Sequence, residues 1–125
     1  MDACRAAGVH ADLDSFAMVD GSYTAAADLY LGDTSSQVVE YMMRPRPCVF
    51  LNALGADWVG DPSYAMWGAG AVDDSLDALI PAIDAAPALH PGYRDFQTRF
   101  VETALGDVSG GAPARAAHAV LAALR

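Results

Sequence analysis

Residues 28–52 constrain the fold more than any other part of this sequence. Two short apolar runs, Asp28-Leu29-Tyr30-Leu31 and Cys48-Val49-Phe50-Leu51, flank one segment of helical periodicity. The first run leads into a polar elbow, Gly32-Asp33-Thr34-Ser35-Ser36. The spacing then predicts a helix over about 36–43, with Val38, Val39, Met42 and Met43 on one side. Arg44-Pro45-Arg46-Pro47 stops it, because proline lacks the N–H donor and pushes the residue before it out of the helical region. The second run is apolar without alternation, the pattern of a strand covered on both faces, as in a parallel sheet. Strand, helix and strand with short links predict a right-handed βαβ crossover and an α/β fold.

The flanking segments extend this pattern. Residues 15–19 read as an earlier strand ending at the Asp20-Gly21 turn, and 22–27 as a short Ala-rich helical turn. Residues 55–70, with Trp58, Tyr64 and Trp67, read as an irregular connection, and Ala71-Val72 as a short edge strand. Asp74-Ser75 caps a helix whose Leu76, Leu79, Ile80 and Ile83 form a core-facing stripe. Phe96, Phe100, Ala104 and Leu105 make a similar stripe. A last helix starts near Pro113 and carries Ala117, Val120, Leu121 and Leu124, after a Ser109-Gly110-Gly111 hinge. The expectation is a three-layer, open parallel sheet in one domain over 1–125, with a sheet core at about 13–86 and C-terminal helices at about 92–125.

Composition limits the partners. The 125 residues allow one domain, and 54% hydrophobic content supports a real core. There are 16 acids against 7 bases, a formal charge of −9, and no lysine. Nucleic acid and anionic membrane surfaces need clustered cations and are disfavoured, whereas a small phosphate held by backbone N–H groups is not. Cys4 and Cys48 lack metal or redox spacing, so free thiols are expected. No secretory leader and no run approaching ~20 apolar residues is found, which predicts a soluble, cytoplasmic protein without a membrane span.

His10, His90 and His118 have no ligand partner at helical spacing, so no metal is expected. Gly68-Ala69-Gly70 lacks the third glycine of a dinucleotide fingerprint, and no serine sits in a Gly-x-Ser-x-Gly elbow. The three aromatics of 55–70 are packing residues or lid residues, with packing favoured. Asp73, Asp74 and Asp77 suit helix capping.

The elbow is the segment that bears on chemistry. A strand running through Gly32 into small hydroxyl residues aims helix-start N–H groups at the carboxyl edge of the sheet, where open α/β sheets bind ligands. Thr34, Ser35 and Ser36 add hydroxyl donors, so a mono- or diphosphate fits without lysine. Glu40, about one turn further on, is placed to accept from a ribose diol. Asp33 would repel a phosphate and is assigned, with Gly32, to fixing the turn by accepting backbone N–H groups. By the same chemistry, Asp-Thr-Ser-Ser is also an ordinary helix cap and Glu40 an ordinary solvated helix residue.

Ala26-Ala27-Asp28, the strand 29–31, Asp33-Thr34-Ser35-Ser36, Glu40 and Arg46-Pro47 before the strand 48–51 together resemble the C-terminal half of GT-B-type transferases. The group concerned contains CDP-glycerol glycerophosphotransferases and related glycosyltransferases. Val72-Asp73-Asp74-Ser75-Leu76-Asp77-Ala78-Leu79 is similar to that group's next strand and helix start. The likeness spans about 13–105, and its specific part is Asp-x-Ser-Ser. It implies a Rossmann-like donor domain in which Ser35 and Ser36 hold the phosphates of a CDP- or UDP-linked donor and Glu40 lies near the ribose. Such enzymes also use an N-terminal domain for the acceptor and commonly for the catalytic base. Its absence from these residues, and the lack of an upstream His-Pro element (His90-Pro91 comes too late), lead to the expectation of a fragment, with no catalytic residue assigned. The competing expectations are a non-catalytic α/β interaction module that self-associates or binds a partner chain, and a small phosphate- or nucleotide-binding protein.

Overall fold

The computed structural model of the chain describes residues 2–108 and 110–124. Its helices are α1 (Asp2–Ala6), α2 (Ser22–Ala26), α3 (Ser36–Met42), α4 (Leu76–Leu89), α5 (Arg94–Leu105) and α6 (Ala112–Ala123). Its strands are β1 (Tyr30–Gly32), β2 (Cys48–Leu51) and β3 (Ala71–Asp73), with 3-10 turns at Phe16–Met18, Pro62–Ala69 and His90–Gly92.

The two apolar runs pair in parallel. Tyr30 stands opposite Cys48 and Gly32 opposite Phe50. On its other side β2 pairs in parallel with β3, Val49 opposite Ala71 and Leu51 opposite Asp73. The open sheet therefore runs β1-β2-β3. β2 is central, which is why its run lacks polar alternation: Cys48, Val49 and Phe50 are all buried.

Alternation along β2 sorts the core. Cys48 and Phe50 point into one cluster with Val38, Tyr41 and Met42 of α3, Trp67 and Ala69 of the long 3-10 turn, and Val101 of α5. Val49 is fully buried outside that cluster and projects from the opposite face. α4 packs along β2 and β3, which gives that face its cover. Gly70 lets the chain turn into β3 directly against β2, because a Cβ there would strike the Cys48 carbonyl.

Buried and half-buried polar groups tie the layers together. The Arg46 guanidinium donates to the carbonyls of Thr24 (3.0 Å), Ala25 (3.3 Å), Ala27 and Tyr41 (2.9 Å). It also lies 3.9 Å from the centre of the Tyr41 ring. Arginine thus satisfies the C-terminal carbonyls of α2 and α3 at once, a cap in the sense of a cation at a helix end. Its burial lowers the guanidinium pKa. The fully buried Gln97 donates to the carbonyls of Arg46 (2.9 Å) and Ala69 (2.8 Å) and bonds His90 Nε2 through Oε1 (3.1 Å).

Three expectations are corrected. Residues 15–19 form no strand: Phe16–Met18 is a 3-10 turn with Phe16 76% exposed. The Asp12 carboxylate takes the N–H groups of Asp14 and Ser15 and bends the chain there, so the sheet begins at Tyr30 instead of near residue 13. In α4, Ser75 caps the helix as expected, accepting from Asp77 N. Leu76 and Ile80, however, are 71% and 65% exposed, and the inward face is Ala78, Leu79, Ala82, Ile83 and Ala86. In α5 the stripe is Phe96, Gln97, Phe100 and Val101, while Ala104 and Leu105 are exposed. In α6, Ala117, Val120, Leu121 and Leu124 are all exposed. Of the expected hinge before α6, Ser109 lies outside the described residues, and Gly111 starts the helix with φ 77.

Candidate functional site

The elbow is built as a tight, internally bonded turn. Gly32 ends β1 in a position where a Cβ would meet the Tyr30 phenol, so the ring folds across the strand end. From there the Tyr30 hydroxyl reaches the Asp33 carbonyl at 3.4 Å. Burial raises the Tyr30 pKa, opposed by the Ser35 hydroxyl beside it. Asp33 Oδ1 accepts from Thr34 N at 2.6 Å. Ser35 is the N-cap of α3, accepting from Gln37 N at 3.2 Å.

These bonds decide what the elbow can still offer. Thr34 N is held by Asp33, Ser35 N by Met66 Sδ (3.4 Å), Gln37 N by the Ser35 hydroxyl and Val38 N by the Ser35 carbonyl. Among the described residues, Ser36 N and the hydroxyls of Thr34 and Ser36 have no partner, and both side chains are exposed. Ser35 is half-buried and already committed. An incoming oxyanion therefore meets two hydroxyls and one N–H, with the exposed Asp33 carboxylate beside them.

Glu40 lies elsewhere. It is exposed on the later part of α3 and lines a surface depression of about 330 Å³ with Gly21, Thr24, Ala25, Arg44 and Arg46. Asp33 instead lines a small cleft of about 20 Å³ at the carboxyl edge with Leu51, Asn52, Ala56, Tyr64 and Trp67. Of the residues expected at phosphate and ribose, Ser36 and Glu40 lie in α3, Ser35 is its N-cap and Thr34 precedes it, while Asp33 and Glu40 border different recesses.

At the carboxyl edge Asn52, which the sequence patterns did not single out, joins aromatic and acidic residues that they did. Asn52, just after β2, donates to the Asp74 carboxylate (2.7 Å) and the Ala56 carbonyl (3.0 Å), and accepts from Ala56 N (2.8 Å). Trp67 Nε1 and Asp73 Oδ2 are buried with no partner among the described residues. The cleft beside Trp67 is of the size that holds one water. Tyr30 was readable in principle, because a ring two residues before a glycine shares its face and finds no side chain there. Met66, thirty-one residues from Ser35 in sequence, gave no local signal.

Cys4 and Cys48 are free thiols; burial pushes Cys48 up to about 12. Among the described residues no group of three or more His, Cys, Asp or Glu side chains is arranged to hold a metal, and no helix is long and apolar enough to cross a membrane. Comparisons with protein-family models, curated proteins and solved structures find no match to this chain.

Proposed function

We propose that this chain is the donor-nucleotide-binding half of a cytoplasmic GT-B-type glycosyl- or glycerophosphotransferase, with a Rossmann-like sheet and a requirement for an N-terminal half to bind the acceptor. One observation carries the reading: β1 ends in a Gly32-Asp33-Thr34-Ser35-Ser36 elbow at the carboxyl edge of a parallel sheet, with the Thr34 and Ser36 hydroxyls unpartnered among the described residues. The nucleotide diphosphate of a CDP- or UDP-linked donor accepts from these hydroxyls and from Ser36 N. During transfer they stabilise the charge that develops on the leaving phosphate. Ser35 holds the turn, Asp33 and Gly32 fix its shape, and the ribose extends from the elbow along α3 to reach Glu40, one turn beyond Ser36.

Calorimetric titration with CDP and UDP tests this. Binding is expected in the micromolar to millimolar range, weakened at least tenfold in Thr34→Val/Ser36→Ala and unaffected by EDTA. No binding at millimolar nucleotide, or equal binding by the double variant, would sink it. Ser35→Ala serves as a contrast: it loses the cap, costing about 1 kcal/mol of stability.

A second reading, an interaction module, is favoured by α6, whose apolar residues are exposed throughout. It expects a stable assembly in size-exclusion light scattering and indifference to nucleotides.

A further inference from the structure

Outside the sheet, residues 10–23 bring a histidine, a tyrosine, a carboxylate and a serine into one hydrogen-bonded chain. His10 Nε2 lies 2.9 Å from Tyr23 Oη. The Tyr23 hydroxyl donates to Asp12 Oδ2, and so does the Ser15 hydroxyl. Asp12 Oδ1 accepts the N–H groups of Asp14 (3.1 Å) and Ser15 (2.9 Å). A phenol carries one proton. Because that proton is spent on Asp12, the Tyr23 oxygen can only accept from the imidazole, which places the ring hydrogen on Nε2 and leaves Nδ1 as the lone-pair nitrogen. Nδ1 has no hydrogen-bond partner among the described residues. The ionisation directions agree: the Ser15 and Tyr23 donors hold the Asp12 carboxyl well below the usual carboxylate range, and the bond to Asp12 raises the Tyr23 phenol.

His10, Asp12 and Tyr23 line an open surface pocket of about 300 Å³ together with Ala17, Met18, Thr24 and Gln37. We infer that this pocket binds a small neutral polyhydroxylated molecule, of monosaccharide or polyol type, one of whose hydroxyls donates to His10 Nδ1. The volume is at the lower end of small-molecule sites. No lysine or arginine lines it, which disfavours an anion. The Asp12 carboxylate already accepts from four donors, leaving little for a cation. The Gln37 amide both donates and accepts, which suits a hydroxyl, while Ala17 and Met18 supply apolar surface for C–H faces. This inference does not rest on the transferase reading, because Thr34, Ser36 and Glu40 take no part.

The test is imidazole nitrogen NMR on the full chain at pH 8, with D-glucose and glycerol as probes. His10 is expected as the Nε2–H tautomer, with an Nδ1 resonance that shifts saturably on adding glucose or glycerol. In Tyr23→Phe the tautomer preference is lost and the midpoint rises at least threefold, while the Val38 and Phe50 amide resonances stay in place to report an intact core. Asp12→Asn is the second variant and moves both readouts the same way. A predominant Nδ1–H tautomer in the unmodified chain, strictly linear shifts with both probes, or saturation by inorganic phosphate alone would each overturn the inference.

Discussion

α5 and α6 are both 12-residue helices, and α6 has the more apolar composition. Yet α5 is docked and α6 is not. α5 buries Gln97 and Val101 completely or nearly so, whereas no described residue of α6 is buried. What separates them is a polar side chain. Gln97 spans the carbonyls of Arg46 and Ala69, which lie on the links just before β2 and β3, and so reads the spacing of two strands at once. The polar bonds of α6 run the other way: Arg115 pairs with Asp107 (3.0 Å) and with the Gly110 carbonyl, inside its own linker. Apolar surface makes burial favourable without saying where; matched donors and acceptors specify the place.

The largest effect expected from this contrast is at Gln97. Gln97→Leu keeps the volume but removes the side-chain amide from the Ala69 carbonyl and His90 Nε2 and leaves the Arg46 carbonyl only the weak Cys48 thiol donor (3.6 Å), so a loss of about 3 kcal/mol is expected in urea unfolding. Val101→Ala, in the same helix, removes only packing and should cost about 2 kcal/mol. A leucine variant more stable than the alanine variant would show that α5 is held by its apolar contacts after all.

How much of this was legible in the sequence follows the same division. The strand 48–51 and the helix after Ser35 were readable because proline, glycine and an unbroken apolar run act locally. The N-cap role of Ser35 and the turn role of Asp33 were equally local. The stripe in α4 came out rotated, since periodicity gives a face but not the surface that it meets. Leu76 and Ile80 satisfy the spacing and still face solvent. At residues 15–19 an apolar pattern lost to a side chain that captures backbone donors, Asp12. The Gln97 bridge joins residues 51 and 28 positions apart, and the Ser35–Met66 contact 31; no periodicity encodes such pairs. For the elbow, sequence gave the hydroxyls but not which N–H groups are already taken.

The Gln97 neighbourhood also carries a pH signature that α6 lacks. Burial pushes the Cys48 thiol up to about 12 from an ordinary 9, and Tyr41 up to about 12 from 10. Both groups are neutral in the folded chain and ionise earlier when it unfolds. Their contribution is therefore complete below about pH 9 and is lost as pH rises towards 12. Each group should lower unfolding stability by up to about 1.4 kcal/mol per pH unit within its own window. Denaturant midpoints between pH 8 and 11 check this, and Cys48→Ala should remove the part of the slope that begins near pH 9. Stability that is flat across that range would mean that water reaches the α3–α5 face of the sheet.

The smallest effect, and the sharpest test of the contrast, lies in α6. Val120→Asp/Leu121→Asp places two charges on a face that already meets water, where Val120 and Leu121 are 60% and 58% exposed. For a chain acting alone, such surface changes should shift unfolding stability by less than about 0.5 kcal/mol. A larger loss that grows with protein concentration has a different meaning, because only a partner bound to the folded state couples stability to concentration. It would identify α6 as the interface of the interaction-module reading. A larger loss independent of concentration would mean that α6 folds back on its own body in solution, with the Arg115–Asp107 pair as its pivot. The comparison with α5 would then be one of strength, since both helices would be docked.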